Sequence, residues 1–142
     1  ALPIYNDFGF TAYHFLRSLP VPISAHCIGN IESMAVIMYL AADVRIAVPY
    51  SKFKIHPLHW GFPQGNIDHD RLIEFGDSIN FDAERYISIF EERTQAAQKK
   101  LDVRNHLMGQ ARLLGATTAV EAGLATAIAD ATIPTTAVRW WV

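Results

Sequence analysis

Ser33 stands between a short apolar segment ending at Cys27 and a long apolar run that begins at Met34. A serine at the start of a helix admits two chemistries. As an N-cap, its hydroxyl accepts a hydrogen bond from a first-turn N–H and adds about 1 kcal/mol to the helix. As a nucleophile, it sits at the positive end of the helix dipole. There the N–H of Met34, which has no intrahelical partner, could hold a developing oxyanion. The local pattern is compatible with both. His56 supplies what the second reading needs. It follows the segment "SKFKI" and precedes Pro57, and strand ends at loops are where α/β proteins place site residues. An imidazole can take a hydroxyl proton near neutral pH. The alternative for His56 is a strand-end histidine touching solvent.

Other residues invite chemistry and carry less of it. His56-x-x-His59, with His69 or Asp70 further on, contains metal-ligating types, but a loop does not set two of them on one helix face, and a zinc site needs three or four fixed ligands. No metal and no cofactor is expected. His26 and Cys27 are adjacent on an expected strand and so point to opposite faces, which leaves Cys27 as a buried thiol. Glu32 beside Ser33 reads as a first-turn acid favoured by the dipole. Trp60 either lines a groove or belongs to the core.

The elements that must position Ser33 and His56 follow from periodicity. Phe10, Tyr13, Leu16 and Leu19 recur at helical spacing until Pro20 and Pro22. "VPISAHCI" reads as a buried strand, Gly29 to Glu32 as a tight turn, and Ser33 to about Ala42 as a helix apolar all round, hence buried. "DVRIAVP" and "SKFKIHPL" alternate as strands, the second with one wet face bearing Lys52 and Lys54. "HWGFPQGNIDHD" is a loop. From about Asp68 to Ala97, apolar residues at Leu72, Phe75, Ile79, Ala83, Tyr86 and Phe90 step by three and four. That describes one helix of roughly 45 Å, long enough to pack on another subunit, with Gly76 as a place to bend. Leu101 to Leu114 reads as a further helix. A short helix follows, stopped by Gly123 at its C′ position, and then a strand. Trp140 and Trp141 close the sequence. Strands alternating with helices predict an α/β fold with a largely parallel sheet.

The 142 residues suffice for one domain, and a net charge of −2 with 51% hydrophobic residues is an ordinary globular composition. No basic patch argues for nucleic acid. The longest apolar run is far short of the ~20 residues that span a bilayer, so no membrane span is expected. The single cysteine excludes an internal disulfide and points to a reducing compartment, the cytoplasm. "ALPIYNDFGF" opens inside apolar sequence without Met, which suggests a segment of a longer protein.

The stretches "FLRSLPVPISAHCIGNIESMA", "RIAVPYSKFKIHP" and "TTAVEAGLA" resemble the Clp protease proteolytic subunit family within the Clp/crotonase superfamily. Gly29, Ser33, Met34 and Ala35 match that family's Gly-x-x-x-Ser-Met/Ile-small nucleophile stretch. Pro49, Phe53 and His56 fit the stretch that carries its general base. Thr118 to Leu124 is similar to its C-terminal signature. The resemblance implies a Clp/crotonase-like ββα superhelix. Residues 1–142 would form a single domain, the C-terminal two-thirds of the family fold, with the N-terminal part missing. It assigns Ser33 as nucleophile, His56 as base, the Met34 N–H as oxyanion donor, and Pro57 and Leu58 to the substrate border. The long helix corresponds to the family's handle helix. The family's Pro-Gly-Gly oxyanion turn falls on Leu2, Pro3 and Ile4. The place of its triad acid falls on Ala111 counted back from the C-terminal signature, and near Asn105 counted forward from His56. Asn105 and Asp102 are therefore the candidates for the third role. The implied function is a serine endopeptidase subunit acting on peptides or unfolded proteins inside a homo-oligomeric ring, working with an ATPase unfoldase. Two alternatives stay open. One is a structural subunit with a degenerate site; the other is a crotonase-like acyl-CoA enzyme, to which "AADVRIAVPYSKF" is also similar.

Overall fold

A computed structural model describes residues 6–59, 61 and 65–132. The chain opens with α1 (Asn6–Ser18), then β1 (Ser24–Cys27), β2 (Asn30–Glu32), α2 (Met34–Leu40), β3 (Val44–Ala47) and β4 (Lys52–Ile55). The long α3 (His69–Arg93) follows, then α4 (Val103–Met108), β5 (Arg112–Gly115), α5 (Ala116–Glu121) and β6 (Ala127–Ile128).

Among the described residues, six strands form two three-stranded sheets. One has the order β1-β3-β6 and is parallel throughout. The other has the order β2-β4-β5, with β2 and β4 parallel and β5 antiparallel to β4. The α/β expectation holds, with one antiparallel edge in the second sheet. Two local readings are corrected here. Asn30–Glu32 is a strand rather than a turn, because its backbone pairs with β4 in the register Asn30↔Lys52 to Glu32↔Lys54. The expected helix from Leu101 to Leu114 ends at Met108. Gly109 leaves helical angles, and Arg112–Gly115 pairs with β4 instead. Leu114 then lies opposite Phe53, both buried.

The core lies between α1, α2, the second half of α3 and the two sheets. Phe10, Met34, Ile37, Leu40, Phe53, Ile55, Tyr86, Phe90 and Leu124 are all buried in it. Each such side chain contributes about 1.5–3 kcal/mol by leaving water. The α2 helix is short and mostly buried, as an all-apolar run must be. Its Tyr39 hydroxyl donates to the Ile46 carbonyl of β3 at 2.9 Å. In α3 the amphipathic pattern divides in two. The Asp68 side chain caps the helix through the Arg71 N–H at 2.8 Å. All of its buried residues lie from Asp82 onward, while Leu72 and Ile73 are more than half exposed.

A buried guanidinium joins the elements at the far side of α2. Arg45 Nη1 donates to Ala42 O at 2.9 Å, just past the end of α2. Its Nη2 donates to Arg93 O, the last residue of α3, at 3.3 Å and to Gly123 O at 3.1 Å. Its Nε donates to Leu124 O, past α5, at 2.9 Å. Three helix C-termini, each the negative end of a dipole, thus surround one cation. Burial and then the neighbouring Arg93 pull the Arg45 pKa below its ordinary value. Gly123 closes α5 with φ +70, and a Cβ there would sit 3.2 Å from the Thr94 carbonyl oxygen, so glycine is required for both conformation and space.

Candidate active site

Ser33 occupies the one-residue junction between β2 and α2. Its backbone has φ 57 and ψ −131, a region that a residue with a Cβ enters only under strain. Three bonds from three elements hold it there. The Ser33 N–H donates to Lys54 O of β4 at 3.0 Å, and its carbonyl accepts from the Val36 N–H at 3.0 Å. The Tyr86 hydroxyl of α3 donates to the same carbonyl at 3.4 Å. Burial pushes the Tyr86 phenol far above its ordinary pKa, so it remains a donor.

The hydroxyl of Ser33 makes no capping hydrogen bond. The N-cap reading is therefore overturned: at these angles the side chain does not reach the first-turn N–H groups. Met34, at the first position of α2, leaves its N–H without an intrahelical acceptor. Its side chain is buried against Gly9 of α1, where a Cβ would come within 2.7 Å of the Met34 methyl carbon.

His56 leaves β4 at the same edge. The parallel register sets Glu32 beside Lys54, so Ser33 and His56 both emerge from the C-terminal ends of neighbouring strands. Among the described residues no hydrogen bond joins Ser33 Oγ to His56. The His56 Nδ1 instead lies 2.8 Å from the Pro57 carbonyl oxygen, and its ring stacks on His59 with centroids 5.1 Å apart and planes 26° from parallel. Glu32 shares this face and pairs with Lys52 at 2.9 Å. The bond from Lys52 holds the Glu32 carboxyl below its ordinary pKa, and the charges of Lys52 and Lys54 add to this. Glu32 is thus a strand residue in an ion pair, not a first-turn acid.

The remaining candidates are placed as follows. Asp102 caps α4, accepting from the Asn105 N–H at 3.1 Å; both are exposed, and neither hydrogen-bonds His56. The antiparallel pairing of β4 with β5 ends at Ile55↔Arg112, so His56 and Ala111 are the residues next along the chain from that last pair. Leu58 is half-buried and packs against the core. His69 and Asp70 are exposed and contact each other at 3.4 Å. Among the described residues no three His, Cys, Asp or Glu side chains come together to hold a metal. Cys27 is buried and His26 exposed, as strand alternation requires. Leu2, Pro3, Ile4, Trp60, Trp140 and Trp141 lie outside the described residues. The stacking of His56 on His59 is not legible in the sequence, where the His56-x-x-His59 spacing signals only metal-ligating residue types.

The fold is α/β and rich in parallel strand pairs, and it presents a strained serine at a strand-to-helix junction with a histidine just past the end of the neighbouring strand. The Clp protease family model matches residues 7–132, and the chain belongs to that family. An ATP-dependent Clp protease proteolytic subunit from Deinococcus radiodurans is 26% identical over 99 residues, covering 66% of this chain and 45% of that protein. The chain thus spans about half the length of this curated relative. Among solved structures, a mutant of ClpP1 from Listeria monocytogenes superposes with a TM-score of 0.69 at 19% identity, covering 89% of this chain and 68% of the other. A peptidase from Plasmodium falciparum gives 0.70 at 15% identity, with coverage of 89% and 67%. These likenesses establish the ClpP-like fold.

Proposed function

We propose that the chain is a serine endopeptidase subunit of the Clp type. The observation that carries this reading is the backbone of Ser33, a non-glycine residue held at φ 57 whose hydroxyl makes no capping hydrogen bond. Strain of this kind persists only where surrounding structure enforces it, and it clusters at reacting residues. In the proposed reaction Ser33 Oγ attacks the peptide carbonyl carbon while its proton passes to His56 Nε2. The Met34 N–H takes part in holding the oxyanion. Collapse of the tetrahedral intermediate breaks the C–N bond, and His56 gives the proton to the leaving amine. Water then hydrolyses the acyl-enzyme by the same route. Pro57 and Leu58 border the substrate, a peptide or unfolded protein. Family membership and the half of α3 with no buried residue support a homo-oligomeric ring, with an ATPase unfoldase as partner. No helix among the described residues is long and apolar enough to cross a membrane, and the lone buried thiol of Cys27 suits the cytoplasm.

A fluorophosphonate probe should label Ser33, and Ser33→Ala should abolish labelling. Absence of labelling, under conditions where a reference serine hydrolase reacts, refutes the peptidase reading. One observation favours a second reading, a structural subunit with an impaired site: among the described residues no carboxylate hydrogen-bonds His56, whose Nδ1 meets the Pro57 carbonyl oxygen instead. Co-purification with an intact second subunit, together with no labelling, would establish that role.

A further inference from the structure

A triad carboxylate does two things for its histidine. It accepts the Nδ1–H, fixing tautomer and orientation, and it stabilises the imidazolium that forms. Among the described residues no carboxylate hydrogen-bonds His56, and the two candidates for that role, Asp102 and Asn105, are joined to each other in the α4 cap. Glu32 shares the face but is tied to Lys52 at 2.9 Å. Even so, His56 is not left unoriented. Its Nδ1 lies 2.8 Å from the Pro57 carbonyl oxygen. A carbonyl oxygen bears only lone pairs, so this bond exists only when Nδ1 carries the hydrogen. In the neutral ring the lone pair is then on Nε2, the atom a base must offer.

Two further features make this arrangement stiff. Proline restricts the residue before it to extended angles, which limits the His56 backbone, and its own ring locks φ, which limits the accepting carbonyl. The His59 ring covers one face of His56 at 5.1 Å, nearly parallel. We propose that this chain orients His56 without a carboxylate, the Pro57 carbonyl fixing the Nδ1–H tautomer and the His59 ring bracing the imidazole as a positioning residue. This rests on the reading of His56 as the base. A carbonyl supplies only the first of the two services, so the base has the right tautomer while its cation is weakly stabilised. The result is a slow but real nucleophile at Ser33, rather than an inert one.

The test uses the whole chain and two independent readouts. In a ¹⁵N-histidine sample under alkaline conditions, long-range ¹H–¹⁵N correlations should show His56 as the Nδ1–H tautomer. His59→Ala should shift it toward the other tautomer, and His59→Phe, which keeps a ring but no ionisable group, should retain it. Ser33 labelling by a fluorophosphonate should slow about fivefold in His59→Ala, a factor typical of one lost ring pair, and return in His59→Phe. A wild-type His56 protonated at Nε2 overturns the proposal. So does an unchanged tautomer in His59→Ala, or an equal loss of rate in His59→Phe. If the wild-type protein is never labelled, the peptidase reading falls, while the tautomer spectrum still decides how His56 is held.

Discussion

Replacing Ser33 by glycine and by alanine separates a strained junction from an ordinary helix cap. At φ 57 and ψ −131, a residue with a Cβ carries roughly 1–3 kcal/mol of backbone strain. Glycine relieves that strain, while adding about 0.4–1 kcal/mol of conformational freedom to the unfolded chain. The difference predicts that Ser33→Gly stabilises the protein by about 0.5–2 kcal/mol. For a chain of this size that is a rise in Tm of about 2–6 °C. Alanine keeps the Cβ and the strain and removes only a hydroxyl that caps nothing, so Ser33→Ala should lie within about 0.5 kcal/mol of wild type. Urea unfolding of the three proteins, with thermal melts as a second measure, provides the assay. A cap predicts losses in both variants instead: about 1 kcal/mol for alanine and a few tenths for glycine. A Ser33→Ala loss of that size, with no gain in Ser33→Gly, would refute the strained-junction argument.

Three further outcomes are expected. Ala111→Asp sets a carboxylate at the residue that, like His56, lies next to the last β4–β5 pair, and should raise the rate of Ser33 labelling tenfold or more, within the ceiling of about 10⁴ that a triad acid provides; no acceleration would mean that position 111 does not face the imidazole. Arg45→Lys keeps the charge but lacks the planar fork that reaches four carbonyls, and should cost roughly 3 kcal/mol in denaturant unfolding. Glu32, Asp43 and Glu84 all have folded pKa values below their ordinary ones, through bonds from Lys52, from the Ile23 N–H with Arg17, and from Arg104 respectively. Each contributes stability that is fully present above its unfolded pKa, roughly pH 4, and is lost as pH falls through the lower folded value. Tm should therefore drop below about pH 4, and Arg104→Ala should flatten the part due to Glu84.

What could be read before the structure was the arrangement around α2. An apolar run with no polar face must be buried, so the helix from Ser33 followed from local pattern, while the Gly29-x-x-x-Ser33 entry came from the family resemblance. The alternation in "SKFKI" likewise placed His56 at a strand end. The misreadings have one cause. Asn30–Glu32 has a turn's composition and becomes β2 only through pairing with Lys52–Lys54. Arg112–Gly115 is too short to show alternation, and Leu107, Leu113 and Leu114 suit a helix as well as a strand; only its antiparallel partner β4 decides. Such pairings join residues far apart in sequence and leave no local trace. The angles of Ser33 are of the same kind. They are imposed by Lys54, Val36 and Tyr86, and nothing in the residues flanking Ser33 announces them. The contact of His56 with the Pro57 carbonyl depends on a ring orientation that spacing alone does not specify.

The Arg45 clasp has an asymmetry that bears on how this fold tolerates change. Its acceptors are backbone carbonyls at Ala42, Arg93, Gly123 and Leu124, and a backbone carbonyl does not titrate. Unlike the Arg104–Glu84 and Lys52–Glu32 pairs at the surface, this joint should hold through acid, and its depth shields it from salt. No substitution on the acceptor side can delete an acceptor, because every amino acid carries that carbonyl. The meeting of three helix ends therefore tolerates sequence drift at all of its partners except Gly123, and hangs on the identity of a single arginine.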